Sequence, residues 1–150
     1  MRKFLFKVSM FLTRHMWLYY LLNLTWGALT TYFGLLLTLL ILPFKRPERF
    51  AKTYCFKLKK NWGGLTVGMM FFRDTTSIDH VSMHEYGHTF QNAILGPFMI
   101  FIVGIPSTIR YWYRHLKYER KGLMPFKKYD DIWFEGSATE IGSYAYHNVH

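Results

Sequence analysis

His84, Glu85 and His88 stand in the order H-E-x-x-H, within the run HEYGH. On a helix, a separation of four residues puts both imidazoles on one face, where they can share a metal ion. Glu85, one residue after the first His, then stands beside the open coordination position as a general base. The bland alternative is a polar helix face turned to water or to lipid headgroups. Two His leave a catalytic zinc ion one protein ligand short. Glu135, in WFEGSATEIG, is the preferred third ligand, since Glu135, Thr139 and Gly142 share a face of a last helix at i, i+4 and i+7. Glu140, Asp131, His147 and His150 compete for that place. His80, one turn before His84, lies near the His face, either in support of a ligand or as a helix-start side chain. Gln91, one turn after His88, can orient a ligand or be an ordinary polar residue. The single cysteine, Cys55, excludes an intramolecular disulfide and a Cys-based zinc site. No nucleophilic Ser or Cys arrangement and no Gly-rich phosphate loop offers rival chemistry.

The elements that must hold these residues are unevenly apolar. The chain has 150 residues, 51% hydrophobic and 20% aromatic, a composition that excludes a disordered tail. Between Arg14 and Lys45 there is no Asp, Glu, Lys or Arg, and Met16 to Phe44 is long enough to cross a bilayer. The best single span is Gly27 to Phe44, ended by Pro43 and the basic Lys45-Arg46; a second span, Val8 to Leu24, is the alternative to an interfacial N-terminus. Lys3, Lys7 and Arg14 fall on one face of a helix. A cleaved signal peptide is disfavoured by the length of the run and the missing small-x-small site. Residues 1–44 therefore read as an amphipathic and transmembrane segment, and 45–150 as a second domain. In that domain, residues 45–63 are basic and polar, and Leu65 to Phe72 reads as one short strand. Asp74-Thr-Thr-Ser77 offers N-caps for a helix that runs to Leu95 and is stopped by Gly96-Pro97. Thr89 to Ile109 is uncharged, but Gly96, Pro97, Gly104 and Pro106 make it a poor straight span. RYWYRHLKYERKG reads as a basic, aromatic helix suited to a membrane surface, and Asp130-Asp131 as the cap of a last helix, Ile132 to Tyr146.

HEYGH followed by E-x-x-A-x-x-x-G resembles the gluzincin metallopeptidases, in particular the minimal gluzincins and the integral-membrane relatives of prenyl-protein and heat-shock proteases. The resemblance covers roughly residues 65–145. It implies a mainly α membrane protein: one or two N-terminal transmembrane helices, then a small α+β metal-binding domain with a re-entrant or interfacial apolar segment. It implies one zinc ion held by His84, His88 and Glu135, with Glu85 as the base for hydrolysis of a peptide bond and Leu65 to Phe72 as the strand at the cleft edge. Where the family has Asp, this chain has Thr139, which would take the Asp's place against the free N–H of a zinc-binding His. Tyr144, Tyr146 and His147 are the candidates for stabilising the oxyanion. HEYGHTFQNAILGP with IVGIPS also resembles small bacterial membrane proteins that carry an HEYGH helix.

The net charge of +10 fits partners among anionic lipids better than nucleic acid, because the basic residues adjoin apolar stretches. If all three ligands hold one metal, Thr89 to Ile109 cannot span, and everything from Lys45 onward lies on one side. That side carries fifteen of the nineteen Lys and Arg, which places it in the cytoplasm, at a bacterial inner membrane. The expected substrate is a peptide or a membrane protein. The rival expectation is a non-catalytic relative with an immunity, sensor or assembly role.

Overall fold

The computed structural model describes residues 1–59, 62–76, 79–122 and 131–149. The chain is mainly helical, with one small mixed sheet. Three helices come first: α1 (Arg2–Arg14), α2 (Met16–Leu24) and α3 (Ala28–Ile41). The charge-free stretch is thus broken at Thr25 to Gly27, and α2 and α3 meet at 87°. Among the described residues no single helix is long and apolar enough to cross a membrane. Two bent pairs have the length and composition to do so: α2 with α3, and Asp79–Phe98 with Ile100–Lys117 at 114°. The expected span from Gly27 to Phe44 is therefore not one helix of sufficient length, for α3 stops at Ile41.

The basic segment after Lys45 holds two strands that its composition did not announce, β1 (Glu48–Phe50) and β2 (Thr53–Lys57), paired antiparallel. The single strand expected over Leu65 to Phe72 is instead a hairpin, β3 (Gly64–Val67) and β4 (Met70–Arg73). Its two-residue connection opens at Gly68, where φ is +66°, the sign that the first position of a type II′ turn requires and that glycine tolerates without strain. The sheet order is β1-β2-β4-β3, with β2 and β4 parallel, so β3 is an edge strand.

Next comes α4 (Asp79–Leu95), which carries HEYGH and ends where Gly96-Pro97 begins a 3-10 turn. Of its expected caps, Ser77 lies outside the described residues. Asp74 accepts from the backbone N–H of Thr76 at 2.8 Å within its own loop. A π-helical turn, Ile100–Gly104, leads into α5 (Ile105–Lys117). The last helix, α6 (Trp133–Asn148), starts after Ile132 with no side-chain cap; Asp131 precedes it and Asp130 lies outside the described residues.

The core is built around α4, against which α6, α1, α2 and strands β3 and β4 all pack. One cluster of buried side chains joins Leu5, Leu12 and Tyr19 to Phe71, Tyr86, Phe90 and Ile141, so the core draws on both sides of residue 44. The closest approach is between α4 and α6. A Cβ on Gly87 would collide with the Ala138 carbonyl, and one on Gly142 with that of Met83. Small residues at these crossings let the two backbones touch, and this contact brings Glu135 to the HEYGH face.

Candidate metal centre

His84 and His88 project from one face of α4, and Glu135, in the first turn of α6, meets them. Glu135 Oε2 lies 3.1 Å from His84 Nε2 and 3.2 Å from His88 Nε2, and the two Nε2 atoms are 3.2 Å apart. A tetrahedral ion with bonds of about 2.0–2.1 Å holds its ligand atoms about 3.3–3.4 Å from one another. The triangle observed nearly has that edge, and all three residues are buried, so the group could hold a metal ion.

Each imidazole is tied back through its other nitrogen. His88 Nδ1 lies 2.7 Å from Gln91 Oε1, and the Gln91 amide donates to the Phe134 carbonyl at 2.8 Å and the Ser137 hydroxyl at 2.7 Å. Those two donations orient the amide and leave its oxygen to accept from His88. His84 Nδ1 lies 2.8 Å from the Thr139 hydroxyl, which is 3.4 Å from the Glu135 carbonyl. With Nδ1–H donating in both rings, both Nε2 atoms are left to bind a metal ion beside Glu135 Oε2, whereas an Nε2–H would instead donate to that carboxylate. Such partners fix the tautomer and the ring orientation of a metal ligand.

The electrostatics agree with this arrangement. Burial pushes the Glu135 carboxyl up, but the hydrogen bonds of His84 and His88, the charge on His88 and the Ser107 side chain outweigh it and hold the group well below the usual carboxylate range. Burial pushes the His88 imidazole down, and the Glu135 hydrogen bond, together with the Glu85 and Glu135 charges and Gln91, raises it above its ordinary value. Glu135 Oε1 is buried with no hydrogen-bond partner among the described residues, a further sign of donor capacity that the protein itself leaves unused.

A cavity of about 350 Å³ opens beside the triangle, lined by Glu85, His84 and His88, by Gly64 to Thr66 of β3, and by Ser107, Thr108 and Tyr111 of α5. Glu85 is buried, and the Thr66 hydroxyl lies 2.7 Å from its Oε2 and 2.8 Å from its backbone carbonyl, donating to one of them at a time. His80 is exposed and lines the same cavity.

The structure separates the other candidates from this place. Glu140 is exposed and pairs with Arg2 at 2.9 Å, Asp131 and His147 are exposed, and His150 lies outside the described residues. Tyr144, Tyr146 and His147, expected at the oxyanion, do not line the cavity. Tyr144 packs edge-on to Phe6, Tyr146 stacks on Phe50, and His147 Nδ1 lies 2.7 Å from the Ser143 carbonyl. They follow Glu135 by nine to twelve residues, and a straight helix carries them about 13–18 Å away. The group that reasoning from sequence missed is Tyr111, whose hydroxyl reaches the Trp62 carbonyl at 3.5 Å across the cavity. Nothing in its local pattern marked it, because the bend after α4 brings it there.

Comparison with known proteins returns no match: no family model, no curated sequence and no solved structure aligns significantly with the chain.

Proposed function

We propose that this protein is a membrane-bound zinc metallopeptidase that hydrolyses peptide bonds near the membrane surface. The observation that carries the reading is the buried His84, His88 and Glu135 triangle, with the Glu85 carboxylate lining the same cavity. Two imidazoles and a carboxylate suit zinc, and three protein ligands leave a position open for chemistry. When bound, the ion would supply Lewis-acid activation of a water and of the scissile carbonyl. Glu85 would take a proton from a water in the cavity and return it to the leaving amine, and the Thr66 hydroxyl, 2.7 Å from its Oε2, holds the carboxylate in place. Tyr111 and His80, both in the cavity wall, are the polar groups placed to meet a developing oxyanion. Strand β3, at the edge of the sheet among the described residues, offers its outer backbone groups to an extended peptide.

Membrane attachment is supported by the two bent apolar pairs and by the exposed Leu29, Phe33, Leu36 and Leu40 of α3. With the three ligands together, residues 45–150 lie on one side, and their excess of Lys and Arg supports the cytoplasmic face of a bacterial inner membrane. Cysteines introduced near Lys59 and Lys121 should report the same compartment.

The test is elemental analysis and peptide hydrolysis on the full chain in detergent. One zinc per chain is expected, with hydrolysis that Glu85→Gln removes while the zinc stays. The uncharged Thr139, facing His84 in place of a carboxylate, favours a second reading: a non-catalytic metal-binding membrane protein with an immunity, sensor or assembly role. Zinc without hydrolysis in the wild type would select it.

A further inference from the structure

Helix α5 has two distinct faces. Ser107, Thr108 and Tyr111 line the metal cavity. Ile105, Ile109, Trp112 and Leu116, at i, i+4, i+7 and i+11, form the other face and are all exposed, Ile109 at 64% and Trp112 at 54%. Arg110, Arg114 and Lys117 follow at i, i+4 and i+7 along the flank between them. None of the thirteen residues of α5 is buried, and its main packing partners are the π turn before it and the 3-10 turn after it. A helix of this length is marginal in water without an apolar surface to rest on, and the exposed apolar face of α5 is open to such a surface.

We infer that α5 is a lipid-facing roof: its outer face lies in the surface of an anionic bilayer, and substrate enters the cavity beneath it from that surface. This rests on the metallopeptidase reading for the word substrate, but not for the lipid contact. The occupant follows from charge and apolarity together. From Tyr86 to Tyr118 there is no Asp or Glu, so every full charge that α5 itself carries is positive, the pattern of an interfacial amphipathic helix on anionic lipid. The apolar surface continues past α5, through the exposed Phe101 to Phe98, whose ring lies 6.2 Å from that of Trp26 at the α2–α3 bend. Both bent pairs thus present apolar side chains where they meet. The substrate class implied is an extended segment of a membrane-anchored polypeptide, cut close to the headgroups.

The experiment places a fluorophore on the full chain at Ile109→Cys, with Glu48→Cys as a water-facing reference, in vesicles of phosphatidylcholine and phosphatidylglycerol. Buried Cys55 stays unlabelled under native conditions. The label at 109 should be quenched by a lipid-borne quencher and shielded from iodide, and the label at 48 should show the reverse. Equal access of iodide to both positions overturns the inference, and shielding of position 109 from both quenchers overturns it in favour of a protein partner. This arm needs neither zinc nor hydrolysis, so an inactive chain leaves it decisive. The second arm compares a lipid-anchored peptide with the same peptide free in solution. Ile109→Glu with Trp112→Glu should lower cleavage of the anchored peptide roughly tenfold and leave the free one unchanged. An equal loss on both peptides would show that the face serves only to hold the cavity together, and would overturn entry from the bilayer.

Discussion

Helices α4 and α5 follow one another in the chain and line the same cavity, yet they invert the usual relation between polarity and burial. Eleven of the seventeen residues of α4 are buried, and they include Ser82, His84, Glu85, His88, Thr89, Gln91 and Asn92. None of the thirteen residues of α5 is buried, although Ile105, Ile109, Trp112 and Leu116 are apolar. The difference teaches that the two helices answer to different surroundings. Most polar groups of α4 are tolerated inside because α6, the N-terminal helices and Thr66 of β3 complete their hydrogen bonds, whereas the apolar groups of α5 are exposed. A buried polar group that loses its partner costs about 1–3 kcal/mol, so α4 should be intolerant of change where α5 is not.

The sharpest break between the two comes at Glu85. Glu85→Gln should lower peptide hydrolysis by about 10²–10⁴-fold with zinc content unchanged, measured by turnover and elemental analysis on one preparation. Next in size is a pair on α6. Glu135→Ala should weaken zinc binding by more than the roughly hundredfold that loss of a supporting partner costs, while Glu140→Ala, at an exposed ion pair, should leave it as it is. Equal losses in a competition titration would remove Glu135 from the ligand set. Stability should divide the helices too. Gly142→Ala forces α6 away from the Met83 carbonyl and should cost about 1–3 kcal/mol in thermal unfolding, against about 0.5 kcal/mol or less for Ile109→Ala on α5. The smallest effect concerns Thr139. Its hydroxyl faces His84 Nδ1, so Thr139→Asp should tighten zinc binding by about tenfold through a charged acceptor at the same place. Unchanged affinity would mean that a neutral acceptor already suffices.

Sequence alone gave access to what depends on a short, regular spacing. HEYGH has the period of its helix, and Glu135 with Thr139 has the period of the next, so both could be assigned to faces before any contact was known. What brings those faces together was not legible, because it depends on Gly87 and Gly142, two glycines that look like helix-weakening residues until the opposing backbone is seen. The turn at Gly68 is hidden for a related reason: LTVGMMFF reads as one strand, and only the contact between two strands shows the turn. Strands β1 and β2 were hidden because three to five residues of mixed charge carry little periodic signal. The breaks in Thr89 to Ile109 were readable as breaks, but the 114° angle that swings Tyr111 over the cavity was not. That is why aromatic groups close in sequence to Glu135 were favoured over one that is close in space.

The bend between α2 and α3 is held from far along the chain. The Asn92 amide donates to Asn23 Oδ1 at 2.8 Å and shares its other N–H between Thr31 Oγ1 at 3.3 Å and the Gly27 carbonyl at 3.4 Å, and the Thr30 hydroxyl donates to Asn92 Oδ1. Asn92 is 65 residues beyond Gly27. At about 5–20 residues per second, a ribosome takes about 3–13 s to add it after the bend has been made. Throughout that interval this helix pair has only its local bonds, such as Tyr32 to the Leu24 carbonyl. The elbow at Gly27 therefore gains its Asn92 bonds late in translation, when the helix bearing HEYGH arrives, and the same event starts to assemble the candidate metal site.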